Sequence, residues 1–214
     1  MKMGTKGMLR QPPSVADSVV AFDFDGTLTW RDSFVAFLAW KAGWRGVVAS
    51  LPALVPALLS YGLRRDRGAL KAAFARRFLG PVARTQLEEE ARRFAAERFD
   101  SLIRPDALAC WRDWKARGAH LLIVTASPEI LVAPFADRLG ADGLIGTRLA
   151  FDGQGHFAGA LDGENCRGDE KAARLRAVLG PDLRLAAAYG DTAGDREMLA
   201  LADQPGLKVF TARP

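Results

Sequence analysis

Histidine and cysteine are nearly missing from this chain of 214 residues, which holds two of each. Cys110 and Cys166 stand far apart and in no C-x-x-C pair, which argues against a disulfide framework and against a zinc site. A reducing cytoplasm is the simplest compartment. His120 and His156 have no ligand partners at usable spacing and read as structural. The stretch from Met1 to Asp17 is polar and basic and lacks an apolar core, so no secretory signal is expected. Gly153, Gly155 and Gly159 do not lead from a strand into a helix, which discounts a nicotinamide cofactor. No internal repeat or low-complexity tract is present.

What is abundant is apolar residue, at 49% of the chain, ample for a core. The formal charge of +5 fits a basic protein of no special kind, or one with an anionic partner: phosphate ester, acidic lipid surface or nucleic acid.

The apolar pattern predicts strands over 18–24, 119–125, 143–146, 184–190 and 207–210, with helices between them. Ser127-Pro128-Glu129 has the pattern of a helix start, with Ser127 as N-cap. Gly180-Pro181 ends a helix that begins near Asp169. Alternation of strand and helix implies an α/β fold, a Rossmann-like, doubly wound parallel sheet with function at the strands' carboxyl ends. Residues 147–162 interrupt the rhythm and predict a β-hairpin at the sheet edge. Residues 32–117 show no strand pattern and predict four or five helices, a helical cap inserted after the first strand. The expected division is a flexible leader over 1–17, a core formed by 18–31 and 118–214, and the cap over 32–117.

Four segments bear the chemistry. Val19-Val20-Ala21-Phe22 ends in Asp23-Phe24-Asp25-Gly26-Thr27, two carboxylates at i and i+2 that share one side of a strand. Such a pair repels itself, favours a cation, and can divide labour between nucleophile and acid/base. An ordinary Asp-Gly turn gives the same letters. Thr125-Ala126-Ser127 places a hydroxyl and backbone N–H groups between a strand and a helix, a seat for an anion or simply a cap. Lys171 falls in the first turn of a helix, where the helix dipole disfavours a cation unless an anion is near. Gly190-Asp191-Thr192-Ala193-Gly194-Asp195 supplies hard oxygens in a loop, suited to Mg²⁺, or a loop with Asp195 as an N-cap. Each segment has a bland reading alone. Together they set acids, a hydroxyl and a lysine at strand ends or helix starts of one sheet.

In that order the segments resemble the four motifs of the haloacid dehalogenase-like hydrolase superfamily. The resemblance implies a Mg²⁺-dependent phosphoaspartate mechanism. It gives Asp23 as nucleophile and Asp25 as general acid/base, with Thr125, Ala126 and Lys171 holding phosphate. Metal would go to Asp23, the backbone carbonyl of Asp25, and Asp191, with Asp195 ligating or orienting metal-bound water. The position of the cap resembles the phosphoserine phosphatase-like branch. Thr125 to Glu129 and Asn165 to Lys171 resemble a bacterial subgroup that includes phosphatidylglycerophosphate phosphatases. Where phosphoserine phosphatase has Gly-Gly, this chain has Ala126-Ser127. Where that enzyme binds its substrate amine through a glutamate, this chain has Asp32, a candidate substrate residue or an N-cap.

From Gly46 to Leu63 lie 18 residues without a charge, with Arg45 before them and Arg64, Arg65 and Arg67 after. They suit a buried cap helix, an interfacial helix facing anionic headgroups, or a marginal span interrupted by Pro52 and Pro56. Trp30, Trp40 and Trp44 could sit at an interface or in a core. The acids Glu88 to Glu90 and bases Arg92 and Arg93 predict a solvated helix face. The expected activity is hydrolysis of a phosphomonoester, with a lipid phosphate such as phosphatidylglycerophosphate as substrate. The alternatives are a soluble metabolite such as phosphoserine, phosphotransfer by the same mechanism, and a non-enzymatic phospho-acceptor module. Dehalogenation is disfavoured, since it has no use for Asp25 as an acid. No nucleic-acid partner is expected; peripheral membrane contact through 46–63 on the cytoplasmic face is.

Overall fold

The computed structural model describes residues 8–9, 18–64 and 67–214. Its centre is a sheet with strand order β1-β4-β3-β2-β7-β8. The strands are β1 (Met8–Leu9), β2 (Val19–Phe22), β3 (His120–Pro128), β4 (Gly143–Thr147), β7 (Leu185–Gly190) and β8 (Ala202–Leu207). All pair in parallel except β1, which runs antiparallel to β4. Of the leader expected over 1–17, only β1 falls within the described residues.

Every residue of β2 is buried, as an unbroken apolar run requires when both faces of a parallel strand are covered. One face packs Phe22 against Trp111 and Tyr189, and carries Phe24, Phe94 and Phe135 with it. The other packs Ala21 and Leu122 with Leu175 and Met198. Val20 pairs with Leu121 on one side and Ala187 on the other, so the carboxyl ends of β3, β2 and β7 lie side by side. Chain order reverses across β2, which opens a crevice at those ends.

Between β2 and β3 run α1 (Ser33–Arg64), α2 (Arg67–Leu79), α3 (Arg84–Leu102) and α4 (Pro105–Ala116). Helix α1 breaks at Gly43, whose φ of 66° lies in the left-handed region open to glycine. Among the described residues of its apolar segment, Ser50 and Leu54 are buried, whereas Val48, Val55 and Leu59 are exposed. No described helix is long and apolar enough to cross a membrane. Trp40 packs on Phe37 and Phe94 and donates its indole N–H to Glu97. The side chain of Trp44 lies outside the described residues. Helix α3 buries Leu87, Ala91, Phe94 and Phe99 and turns Glu89, Arg92 and Arg93 to solvent, whereas Glu88 and Glu90 are half-buried and Glu90 pairs with Lys41, so the expected solvated face forms only in part.

Three expectations shift. The last strand is Ala202–Leu207, not 207–210. An edge strand needs no apolar run and tolerates Pro205, so hydropathy misplaced it. The apolar Phe210 instead packs on Phe22 and Tyr189. The hairpin of β5 (Leu149–Phe151) and β6 (Phe157–Leu161) forms, but as its own two-stranded sheet. It turns toward the inserted helices: Phe157 N–H donates to Val82 and Arg76 donates to the Gly159 carbonyl. Helix α5 (Glu129–Leu139) starts after Pro128 with no side-chain cap, so Ser127 is not its N-cap.

Trp111 is 1% exposed, contacts Phe22, and donates its indole N–H to the Leu139 carbonyl. Trp111→Ala should cost about 3–5 kcal/mol of stability, from lost burial plus a residual cavity. Urea unfolding followed by circular dichroism measures it.

Candidate active site

The end of β2 delivers Asp23 into the crevice, where its carboxylate is 5% exposed. Two carboxylates cannot be buried together without a counter-charge. Lys171 supplies it from the first turn of α6 (Asp169–Leu179), itself 1% exposed. Its ammonium lies 2.6 Å from Asp23 Oδ1, 2.7 Å from Asp195 Oδ1 and 2.7 Å from the Val124 carbonyl. All three ammonium donors thus have acceptors, and one side chain ties β2, β3 and the loop after β7 together. Among the described residues the remaining Asp23 oxygen accepts only a long bond from Thr27, at 3.3 Å.

Asp195 is held on both oxygens. Oδ2 accepts from the Thr192 N–H at 2.9 Å and the Thr192 hydroxyl at 3.0 Å. Thr192 caps the short 3₁₀ turn Ala193–Asp195 with its side chain, while Asp195 stands at the N-cap position of the helix Arg196–Leu199 without a side-chain cap bond there. Asp191 stands across from it, half-buried. A Cβ on Gly26 would fall 2.1 Å from Asp191 Oδ2, so the turn after Asp25 needs glycine both for that space and for its φ of 81°.

Electrostatics follow from burial. Desolvation pushes Asp23 up to about 6 against the pull of Lys171. It also pushes Asp191 up to about 6, helped by the charges of Asp23 and Asp195. Burial acts in the same sense on Asp195, but Lys171 and Thr192 outweigh it and hold that carboxyl low. Burial would lower Lys171, yet the two aspartates hold it above its ordinary value.

Asp25 is raised by desolvation and by the charge of Asp32. Its Oδ1 accepts from the Ser33 N–H at 2.7 Å, and its Oδ2 shares a short hydrogen bond with the Ser127 hydroxyl. Strand β3 runs on to Pro128 through an irregularity in its pairing with β4 between Val124 and Pro128. The contact of Ser127 with Asp25 is tertiary, and the helix-start pattern concealed it. Thr125 is fully buried and accepts the Ser127 N–H at 3.0 Å. Asp32 accepts the Val35 N–H at 2.8 Å, the N-cap role open to it from sequence.

These groups meet in a cavity of about 630 Å³. Asp23, Asp25, Asp32, Thr125, Ala126, Lys171, Asp191 and Asp195 all line it, so the structure brings together every residue singled out in the sequence. Trp30, Phe34, Val35 and Phe74 add an apolar side, and Asn165 and Arg167 a polar one; none of these six was singled out as a site residue. Asp23, Asp191 and Asp195 each offer an oxygen within 4.8 Å of the others. Hard oxygens, two of them on carboxyls that repulsion and burial leave prone to protonate, and a glycine-cleared space beside Asp191 fit a small divalent cation.

Residues 20–200 match the haloacid dehalogenase-like hydrolase family. The chain belongs to that family. It is 57% identical to protein CicA of Caulobacter vibrioides over 196 residues, 92% of this chain and 88% of that one. It is 30% identical to phosphoserine phosphatase SerB1 of Mycobacterium tuberculosis over 207 residues, 91% of this chain and 66% of that protein. Among solved structures, a protein of unknown function from Bordetella pertussis superposes with a TM-score of 0.71 at 21% identity, covering 88% of each chain. A substrate-bound phosphoserine phosphatase complex superposes at 0.61 and 19% identity, covering 91% of this chain and 87% of that one. At such identities the two structures speak for the fold of this haloacid dehalogenase-like hydrolase.

Lys171→Met should cost about 3–5 kcal/mol at neutral pH, since it leaves two buried carboxylates without a counter-charge. In metal-free protein Asp23 and Asp191 already bind protons more tightly when folded (about 6) than when unfolded (3.8). Their contribution to stability therefore rises as pH falls from about 6 toward 4. Without Lys171 that rise steepens, so the deficit of the variant shrinks in acid. Urea titrations in chelator at neutral and mildly acid pH read both effects.

Proposed function

We propose that this hydrolase cleaves phosphomonoesters with the help of Mg²⁺ and through a phosphate ester on Asp23. The observation that carries the reading is the buried Asp23–Lys171–Asp195 arrangement at the tip of β2, with Asp191 and Asp25 in the same cavity. A carboxylate held in place by an ammonium, with one oxygen left nearly unengaged, is a prepared nucleophile. The names of the phosphoserine phosphatases it is similar to support the same chemistry.

In the first step an Asp23 oxygen bonds to phosphorus and the bond from phosphorus to the ester oxygen breaks. Asp25 gives its proton to the departing oxygen; burial and the charge of Asp32 raise that carboxyl above its ordinary range, the direction a proton donor needs. In the second step water attacks phosphorus and passes a proton to Asp25, and the bond to Asp23 breaks. The charge of Lys171 offsets that of the phosphoryl group, the Thr125-Ala126 segment holds its oxygens, and Ser127 and Ser33 fix the direction of Asp25. Asp23, Asp191 and the Asp25 carbonyl would hold Mg²⁺, while Asp195 holds Lys171 and the loop. The ion, when bound, screens the phosphate from the carboxylate that attacks it. Residues 32–117 then act as a helical cap over a core of 18–31 and 118–214. A hydroxyl in place of the second-step water makes the same chemistry a phosphotransfer.

For the substrate we favour a lipid phosphate met at a membrane surface. The apolar side of the cavity and the exposed Val35, Val48, Val55 and Leu59 of α1 support it, with Arg45 and Arg64 bracketing that segment. Small soluble esters are the second reading, favoured by the named function of the phosphoserine phosphatases above.

Asp23→Asn should lower phosphate release by at least about a thousandfold, the scale seen when a covalent nucleophile is lost, with the circular dichroism spectrum kept. Chelator should abolish wild-type turnover, and Mg²⁺ restore it. Full activity of the variant would overturn the mechanism. Flotation with anionic vesicles, and rates on a dispersed lipid phosphate against soluble esters, decide the substrate. Absence of vesicle binding together with equal rates would remove the lipid reading.

A further inference from the structure

Arginines around the site fall into three kinds. Arg31 lines the cavity but is exposed and lies over the Trp30 ring. Arg174 is fully engaged by protein: it donates to Glu170 at 2.7 Å, to the Gly146 carbonyl at 2.5 Å and to the Glu164 carbonyl at 2.7 Å. Arg104 bridges the Gly26 and Ala212 carbonyls. Arg167 differs. Its guanidinium lines the cavity, is half-buried, and has no carboxylate partner among the described residues. Its side chain makes one hydrogen bond there, a long one of 3.4 Å to Thr192 Oγ1.

The fold keeps room for this side chain. Gly194 is buried under it, and a Cβ at that position would lie 2.4 Å from the Arg167 guanidinium carbon. Asn165, two residues earlier, also lines the cavity, while Cys166 between them is fully buried. Asn165 Oδ1 accepts from the Thr147 hydroxyl at 2.9 Å, which leaves its amide N–H groups with no acceptor among the described residues. A planar fork of donors and an amide thus face one cavity without an anion to receive. Partial burial of a guanidinium without a partner is unfavourable. A bidentate oxyanion arriving with the ligand removes that cost. Lys171, whose three donors are all occupied beside Asp23, is not a duplicate of this group.

We propose that Arg167, with Asn165 beside it, forms a subsite for a second oxyanion carried on the leaving group of the substrate. The proposal rests on the phosphomonoesterase reading. The shared chemistry is a monoanion with two terminal oxygens, met either in a carboxylate or in a phosphodiester.

Three esters test it: glycerol phosphate, phosphoglycerate (a carboxylate in place of the hydroxymethyl group), and glycerol phosphate bearing a methyl phosphodiester on its other primary hydroxyl. The wild type should favour at least one anionic ester over glycerol phosphate by about tenfold or more in kcat/KM, mainly through KM. Arg167→Gln should cut kcat/KM for that ester by about ten- to a hundredfold more than for glycerol phosphate. Arg167→Lys should recover part of the preference, since it keeps the charge but not the fork. Whichever anionic ester responds names the source. No wild-type preference, or equal losses on all three esters, would overturn the subsite and leave the phosphatase reading intact. Turnover of none of the three would count against that reading alone. Calorimetric binding of phosphoglycerate, the diester and glycerol phosphate to Asp23→Asn, with and without Arg167→Gln, then still decides the subsite. A preference for an anionic ligand that needs Arg167 supports it, and affinities that ignore Arg167 reject it.

Discussion

The ammonium of Lys171 sits within 2.7 Å of oxygens from β2, from β3 and from the loop after β7. Each of those oxygens would be costly to bury without it. The same contacts fix the relative height of the strand tips, so the geometry of the cavity and local stability are one property here. Desolvation works against the arrangement, as the raised Asp23 and Asp191 show. In a metal-free protein this corner of the sheet is a place of stored electrostatic cost. A cation beside Asp23 and Asp191 would relieve it, which couples occupancy of the site to stability.

Glycine and hydroxyl residues do the rest of the positioning at short range. Gly26 admits the Asp191 carboxylate where any side chain would collide. Thr192 holds the loop that presents Asp195, through a reciprocal cap. Ser127 and the Ser33 N–H grip both oxygens of Asp25. Ser33 opens α1, so the start of the inserted helices is tied directly to the Asp25 carboxyl.

The core of this site was legible because strand ends are legible. Asp23, Thr125 and Asp191 follow apolar runs, and Lys171 opens a clearly bounded helix, so period and punctuation located them. The parallel pairing of the strands followed from the alternation of strand and helix. What escaped was decided by tertiary context. Ser127 has the letters of a helix cap, but β3 continues to Pro128 and hands the hydroxyl to Asp25 instead. Strand β8 is polar because one of its edges is open, and no hydropathy pattern marks it. Arg167 is a single arginine in a loop, indistinguishable by sequence from the well-paired Arg174 seven positions on. The apolar stretch in α1 was visible as composition, while the exposure of Val55 and Leu59 depended on how α1 lies on its neighbours.

The central claim is that the carboxylate of Asp23, and no other, is esterified by phosphorus during turnover. An acyl phosphate on aspartate is reduced by borohydride to homoserine. Enzyme quenched during steady-state turnover of a phosphomonoester, reduced and digested, should contain homoserine at position 23 and nowhere else, in an amount that falls when substrate is exhausted. Homoserine at position 25 or 191, or continued phosphate release with none at position 23, would contradict the account.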